Sequence, residues 1–126
     1  MTAEDKKRLQ KDPDGLLNYE YLANNIADIA DDLPQIVENI RRVDRSGQFT
    51  ASAARYLHAI DPQGFAETIR ELVAATIDKD RERRYLPDIL QGLYGPDCEA
   101  HAAELSATDD NFRRIYKRLF PANEAF

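Results

Sequence analysis

The amino-acid sequence predicts an all-α fold, a compact bundle or orthogonal array of about six or seven helices in a single domain. Three observations carry this expectation. Apolar residues recur at alternating spacings of three and four from Tyr19 to Val43 (Tyr19, Leu22, Ile26, Ile29, Leu33, Ile36, Ile40, Val43), which is the repeat of a helix seam. No segment alternates with period two for long enough to make a strand. The chain has 126 residues, 43% hydrophobic and 32% charged, which is the size and balance of one globular domain.

The elements follow in order. Residues 1–11 alternate in charge without an apolar stripe and are expected to form a flexible or frayed segment, or a short solvated helix. The helical domain is assigned to residues 12–121, and residues 122–126 form a C-terminal tail. Asp12-Pro13-Asp14-Gly15 opens a helix near residue 14 that carries the first half of the seam. Pro34 lies inside the seam, where it removes a backbone donor and costs about 3 kcal/mol in an unbroken helix. With Asp31 and Asp32 as caps, the reading is a helix to about Asp31 and a restart from about Leu33 to Asp44, a kinked continuous helix being the alternative. Arg45-Ser46-Gly47-Gln48 makes a turn, and a helix follows from about Thr50 to Ile60.

Asp61-Pro62 opens the next helix, whose buried stripe is Phe65, Ile69, Leu72, Val73, Thr76 and Ile77, down to about Lys79. Helical spacing resumes at Tyr85, Leu86, Ile89, Leu90, Leu93 and Tyr94 and stops at Gly95-Pro96. A short helix spans about Asp97 to Ser106. The last helix is capped by Thr108, has Asp109 and Asp110 at its positive end and Phe112, Ile115, Tyr116, Leu119 and Phe120 on its apolar face, and stops at Pro121. Asp12-Pro13-Asp14-Gly15 recurs as Asp61-Pro62-Gln63-Gly64. The looser match that follows, Glu20 to Ile26 against Glu71 to Ile77, is out of step with it by two residues, which assigns the recurrence to convergent capping rather than duplication.

Chemistry-bearing patterns are sparse. Cys98, His101 and Glu104 share a predicted helix at spacings of three, yet His58 is the only other histidine and neither histidine has Glu three residues before it. No Gly-rich phosphate loop and no Gly-x-Ser-x-Gly elbow occur. A buried Cys98 beside a surface His101 is the expected arrangement, with no catalytic residue, no metal and no cofactor. The net charge of −6 repels phosphate polymers and anionic lipid on average. The charged N-terminus is not a signal peptide, no window is long and apolar enough to span a membrane, and one cysteine suits a reducing compartment, so the expected location is cytoplasmic.

Charge placement is more informative. Residues 12–40 contain seven acidic residues and no Lys or Arg, which makes the outer side of the seam acidic, with Glu20, Asp28, Asp31 and Glu38 as its candidate contacts. The final helix carries Arg113, Arg114, Lys117 and Arg118 opposite its aromatic stripe, and Arg81, Arg83 and Arg84 form a second basic cluster. These two sets define a candidate interaction surface for a charged protein partner, or for a homo-oligomer. The functional expectation is a non-catalytic helical protein-protein interaction module acting as regulator, adaptor or assembly subunit. The alternatives are a nucleic-acid-binding regulator using the basic face of the last helix with the Arg81 to Arg84 cluster and, third, a small metal-dependent or thiol enzyme built on Cys98 and His101, with His58 as a further candidate. The seam itself is expected to be consumed within the chain rather than in a coiled-coil dimer.

Overall fold

The computed structural model describes residues 1–121, and the tail 122–126 lies outside the described residues. Among the described residues there are eight α-helices, α1 (Ala3–Gln10), α2 (Leu16–Asn24), α3 (Leu33–Val43), α4 (Gln48–Ile60), α5 (Ala66–Lys79), α6 (Leu86–Tyr94), α7 (Ala102–Thr108) and α8 (Asp110–Leu119), with a 3-10 turn at Cys98–His101. The all-α expectation holds, and α1 adds a helix to the six or seven anticipated. It forms because Thr2 Oγ1 accepts from the Asp5 amide at 3.0 Å while the Asp5 carboxylate reaches back to the Thr2 amide, a reciprocal cap. Leu9 is its one buried residue and docks it onto the rest.

The helices lie in two rows. α1, α3, α5 and α8 pack in sequence in one row, and α2, α4 and α6 pack in sequence in the other, with α4 against α5 as the main contact across them. The rows run in opposite directions. The Met1 ammonium sits 3.4 Å from Asp32, which places the starts of α1 and α3 at one edge, and Lys79 Nζ bonds the Arg41 and Asp44 carbonyls at 2.7 and 2.5 Å, which places the ends of α3 and α5 at the other. Leu22, Ile36, Ile40, Leu57, Leu72, Ile77, Leu86, Ile89, Phe112 and Ile115 are buried in one continuous core. Along α8 the aromatic stripe forms a ladder, with Tyr94 edge-on to Phe112 at 5.0 Å between ring centroids, Phe112 stacked on Tyr116 at 5.5 Å, and Tyr116 against Phe120 at 4.8 Å.

Several boundaries differ from those the sequence suggests. The first seam helix ends at Asn24 instead of about Asp31, because Asn25 donates both its amide and its side-chain Nδ2 to the Tyr21 carbonyl and so closes the helix locally. Residues 25–32 are turns, and Ile29 is buried from outside any helix. The chain restarts at Leu33 with Pro34 in the first turn, where a missing donor costs nothing. Asp32 makes no side-chain cap there, being engaged by the N-terminal ammonium. At Asp61-Pro62, Asp61 Oδ1 accepts from the Gly64 amide at 2.9 Å and forms a turn, so α5 begins only at Ala66. The segment expected as one helix from Asp97 divides into the 3-10 turn and α7, and the cap of α8 is Asp109, which accepts from the Phe112 amide at 3.0 Å, while Thr108 Oγ1 turns back to Glu104 O.

One device recurs at the edge where α1, α3 and α5 end. Asp12, Asp44 and Asp80 are each 2% exposed, and each carboxylate accepts from the main-chain amides that open the following helix. Asp12 takes those of Asp14, Gly15 and Asn18; Asp44 takes Ser46, Gly47, Phe49 and Thr50; Asp80 takes Arg84, Tyr85 and Leu86, at 2.7–3.2 Å. The third residue after each aspartate has positive φ, +107° at Gly15, +90° at Gly47 and +59° at Arg83. The sixth is buried, Asn18, Thr50 and Leu86. Asn18 and Thr50 meet polar partners from the next helix of the other row: Asn39 Nδ2 donates to Asn18 Oδ1 at 3.0 Å, and Thr76 Oγ1 to Thr50 Oγ1 at 2.8 Å. The chain is therefore a tandem array of helix hairpins with Asp12, Asp44 and Asp80 as equivalent positions. Asp61-Pro62-Gln63-Gly64 lies at the opposite edge and is no part of this repeat.

A left-handed backbone costs an L-residue about 1–2 kcal/mol, so Arg83→Gly should raise unfolding stability by up to about 1 kcal/mol. Gly47→Ala, whose new Cβ would also lie 3.3 Å from Asp80 Cβ, should lower it by at least as much, both read from denaturant midpoints. Burial alone pushes the Asp12 carboxyl up, but donation from Asn18, Gly15 and Asp14 outweighs it and holds its pKa below the ordinary aspartate value. A depressed folded pKa contributes stability above the unfolded value, near 3.8, that is lost as pH falls through the folded value. The denaturant midpoint should therefore drop below about pH 4, and Asp12→Ala, less stable at neutral pH, should show a shallower drop over the same range.

Candidate interaction surface

The residues proposed from the sequence separate into three environments. Arg81, Arg83 and Arg84 occupy the α5–α6 connection, and Arg118 at the end of α8 reaches the same place: Arg83 Nη1 donates to the Arg118 carbonyl at 3.4 Å and Arg118 Nη1 to the Ile77 carbonyl. The two basic clusters thus meet at the edge of the buried aspartates. Lys117 is half-buried on α8 one residue before Arg118. Arg113 and Arg114 do not join this group, because Arg113 pairs with Asp110 and Arg114 with Asp78 at 2.9 Å. The acidic candidates divide as well. Asp28 and Asp31 are exposed in the α2–α3 connection at the opposite edge, Glu20 is exposed on α2, and Glu38 on α3 pairs with Arg41 at 3.4 Å.

Other residues complete the basic edge. Arg42 Nη2 donates to the Gln10 carbonyl at 3.0 Å, Lys79 to the carbonyls of Arg41 and Asp44, and Arg45 is exposed in the α3–α4 turn. Arg42, Lys79 and Arg118 repeat one role, each tying the end of its own helix to the carboxyl end of the previous helix in the row. They stand three residues after Asn39, Thr76 and Ile115. Their partners are neutral carbonyls, so their charge is fixed in place without being cancelled by a carboxylate. A sequence signal existed, a cation shortly before or after each repeat aspartate: Lys11, Arg42 and Arg45, Lys79 and Arg81. It is recognisable only once the aspartates are known to be equivalent.

Two other places carry polar side chains. A groove of about 660 Å³ runs between α5 and α8, with Ile69, Val73 and Leu93 among its apolar lining and His58, Arg70, Tyr94 and Arg114 among its polar lining. Burial pushes the Tyr94 phenol up, and the Asp109 charge adds to this, so it remains a donor, bonded to Asp109 Oδ2 at 2.9 Å. Asp109 Oδ1 caps α8 at the same time, so this pair is committed to the fold. Cys98 is buried, and burial, with the charges of Glu99 and Asp97, pushes its thiol up; His101 and Glu104 are exposed. Among the described residues no group of three His, Cys, Asp or Glu side chains is placed to hold a metal ion, and no helix is long and apolar enough to cross a membrane.

No protein-family model, no curated protein and no solved structure matches this chain. A buried thiol held in its protonated form reacts slowly with electrophiles. Cys98 in the native protein should therefore be alkylated by iodoacetamide at pH 8 at least about tenfold more slowly than in the urea-unfolded chain, as followed by intact mass.

Proposed function

We propose that this chain is a non-catalytic helical protein-protein interaction module, acting in the cytoplasm as a regulator, adaptor or assembly subunit, and that its basic edge is the recognition surface. The observation that supports it is the set of cations anchored on helix-end carbonyls, Arg42, Lys79, Arg83 and Arg118, beside the exposed Arg45 and Arg81. Side chains already held in position lose little rotamer freedom when a partner arrives, and their charge is still available to it. Tandem helical arrays favour such a role because their connections line up along one edge as an extended surface. The chemistry of this edge selects acidic protein surfaces.

A nucleic-acid reading is supported by one observation, the meeting of the Arg81–Arg84 cluster with the end of α8. Against it stand the net charge of −6 and the carboxylates of Asp14, Asp78 and Glu82 on the same edge. The test is affinity capture with the wild-type chain and with the Arg45→Glu/Arg81→Glu variant, which leaves the anchored cations intact. A protein retained by the wild type and lost by the variant, with a charge-dependent affinity confirmed on the purified pair, is the expected result. Retention of the same proteins by both would reject the edge as the surface, and a mobility shift on DNA or RNA at low salt, lost in the variant, would move the assignment to nucleic acid.

A further inference from the structure

The two edges of the molecule carry opposite chemistry. At the first are the ends of α1, α3, α5 and α8 and the connections with the buried aspartates; there the last turns hold Lys7 and Arg8, Arg41 and Arg42, Lys79, and Lys117 and Arg118. At the second are the connections of residues 25–32, 61–65 and 95–101, which contain no Lys or Arg and present Asp28, Asp31, Asp61, Asp97 and Glu99, all exposed. Complementing the helix dipole explains cations at the ends of the first row. It does not explain the second edge, where α2, α4 and α6 end: the same rule asks for cations there, yet α2 and α6 have none in their last turns and α4 has only His58. The charge separation follows the edges of the molecule rather than the dipoles of its helices.

Distance decides how a neighbour senses this. α3 has 11 residues, so the edges stand about 16 Å apart at 1.5 Å per residue, roughly twice the screening length of about 8 Å at physiological ionic strength. A molecule approaching the first edge therefore meets a local positive field, since its exposed cations outnumber the exposed carboxylates of Asp14, Asp78 and Glu82 there, although the chain as a whole is at −6. The complementary surface is present on the same chain, at the second edge.

We infer that the occupant of the basic edge is the acidic edge of a second copy, so that copies associate head to tail, with Arg45 and Arg81 of one facing Asp28, Asp31 and Asp61 of the next. The inference rests on the interaction role proposed above and identifies its partner. Such a contact uses different surfaces on the two copies and leaves one of each unsatisfied, so it propagates into chains or closes into a ring.

Sedimentation velocity over a concentration series tests it, with circular dichroism confirming that each variant is folded. Wild type should show species larger than a monomer that weaken about tenfold or more in affinity when ionic strength rises from about 0.1 M to about 0.5 M. Arg45→Glu/Arg81→Glu and Asp28→Arg/Asp31→Arg should each be monomeric. Mixed one to one, they should associate again, because the intact basic edge of the second meets the intact acidic edge of the first and the two reversed edges are once more of opposite charge. A wild type that stays monomeric at about 0.1 M salt and high concentration overturns the inference, as does association that survives either reversal, or a mixture that stays monomeric. If wild type is monomeric while a cellular partner is still captured through Arg45 and Arg81, the interaction role stands and self-association alone is rejected.

Discussion

Three carboxylates buried without a counter-cation govern this molecule. Removing a charged group from water costs several kcal/mol unless hydrogen bonds replace its hydration, and the first amides of a helix are donors without partners of their own. Asp12, Asp44 and Asp80 bring these two deficits together. Each carboxylate is solvated by three or four N–H groups, and in the same bonds α2, α4 and α6 acquire their starts. None of these helices has a conventional side-chain cap at the residue before it, and α2 and α4 have no acidic residue in their first turns. The distant aspartate does that work from the end of the preceding helix or just beyond it.

Adjacent hairpins are then registered by the residue six places on. Asn18 donates to Leu9 O and to Asp12 Oδ2 and accepts from Asn39, which accepts from Gln35 in turn; Thr50 donates to Gly47 O and accepts from Thr76. Leu86 and Ile115 occupy the corresponding third pair, and both are fully buried. A polar pair whose members are all satisfied penalises any slip of one helix along the next, since a slipped pair leaves buried donors unmatched. From amides to hydroxyls to aliphatic side chains, the same repeat positions carry three chemistries. The first two hold register through hydrogen bonds, and the third relies on packing with the aromatic ladder of α8 alongside.

This explains what the sequence could and could not disclose. Helical periodicity reports the buried face of each helix, and for α3, α5, α6 and α8 it locates the stripe; on α4 it finds Ala53, Ala54 and Leu57, but Ile60, expected on the same side, is exposed. Periodicity does not report direction, which is how a seam continuous in register from Tyr19 to Val43 can cross a break at residues 25–32. The repeat was obscured for a different reason. Its signature is a buried aspartate followed three residues later by a left-handed position, which glycine marks at Gly15 and Gly47 but Arg83 conceals in the third copy. The more conspicuous Asp-Pro pair at Asp61 drew the comparison to the wrong edge. The charged candidates were legible as residues, while their grouping depended on which helix ends share an edge, a property of topology that no local pattern contains.

The same loops also separate stability from recognition. In each one the aspartate points inward to the amides, and the residue directly after it, Pro13, Arg45 or Arg81, is exposed. The side chains of Arg45 and Arg81 form no hydrogen bond or ion pair among the described residues, in contrast to Lys79, whose ammonium joins two helix ends. Replacing Lys79 removes a structural tie together with a surface charge, so its effect on binding and on folding would be inseparable. Replacing Arg45 or Arg81 changes the field of the edge and leaves the solvated aspartate beside it untouched. A surface built this way can alter its partner without altering its fold, because the group that closes the turn and the group that faces outward are neighbours in sequence with opposite orientations.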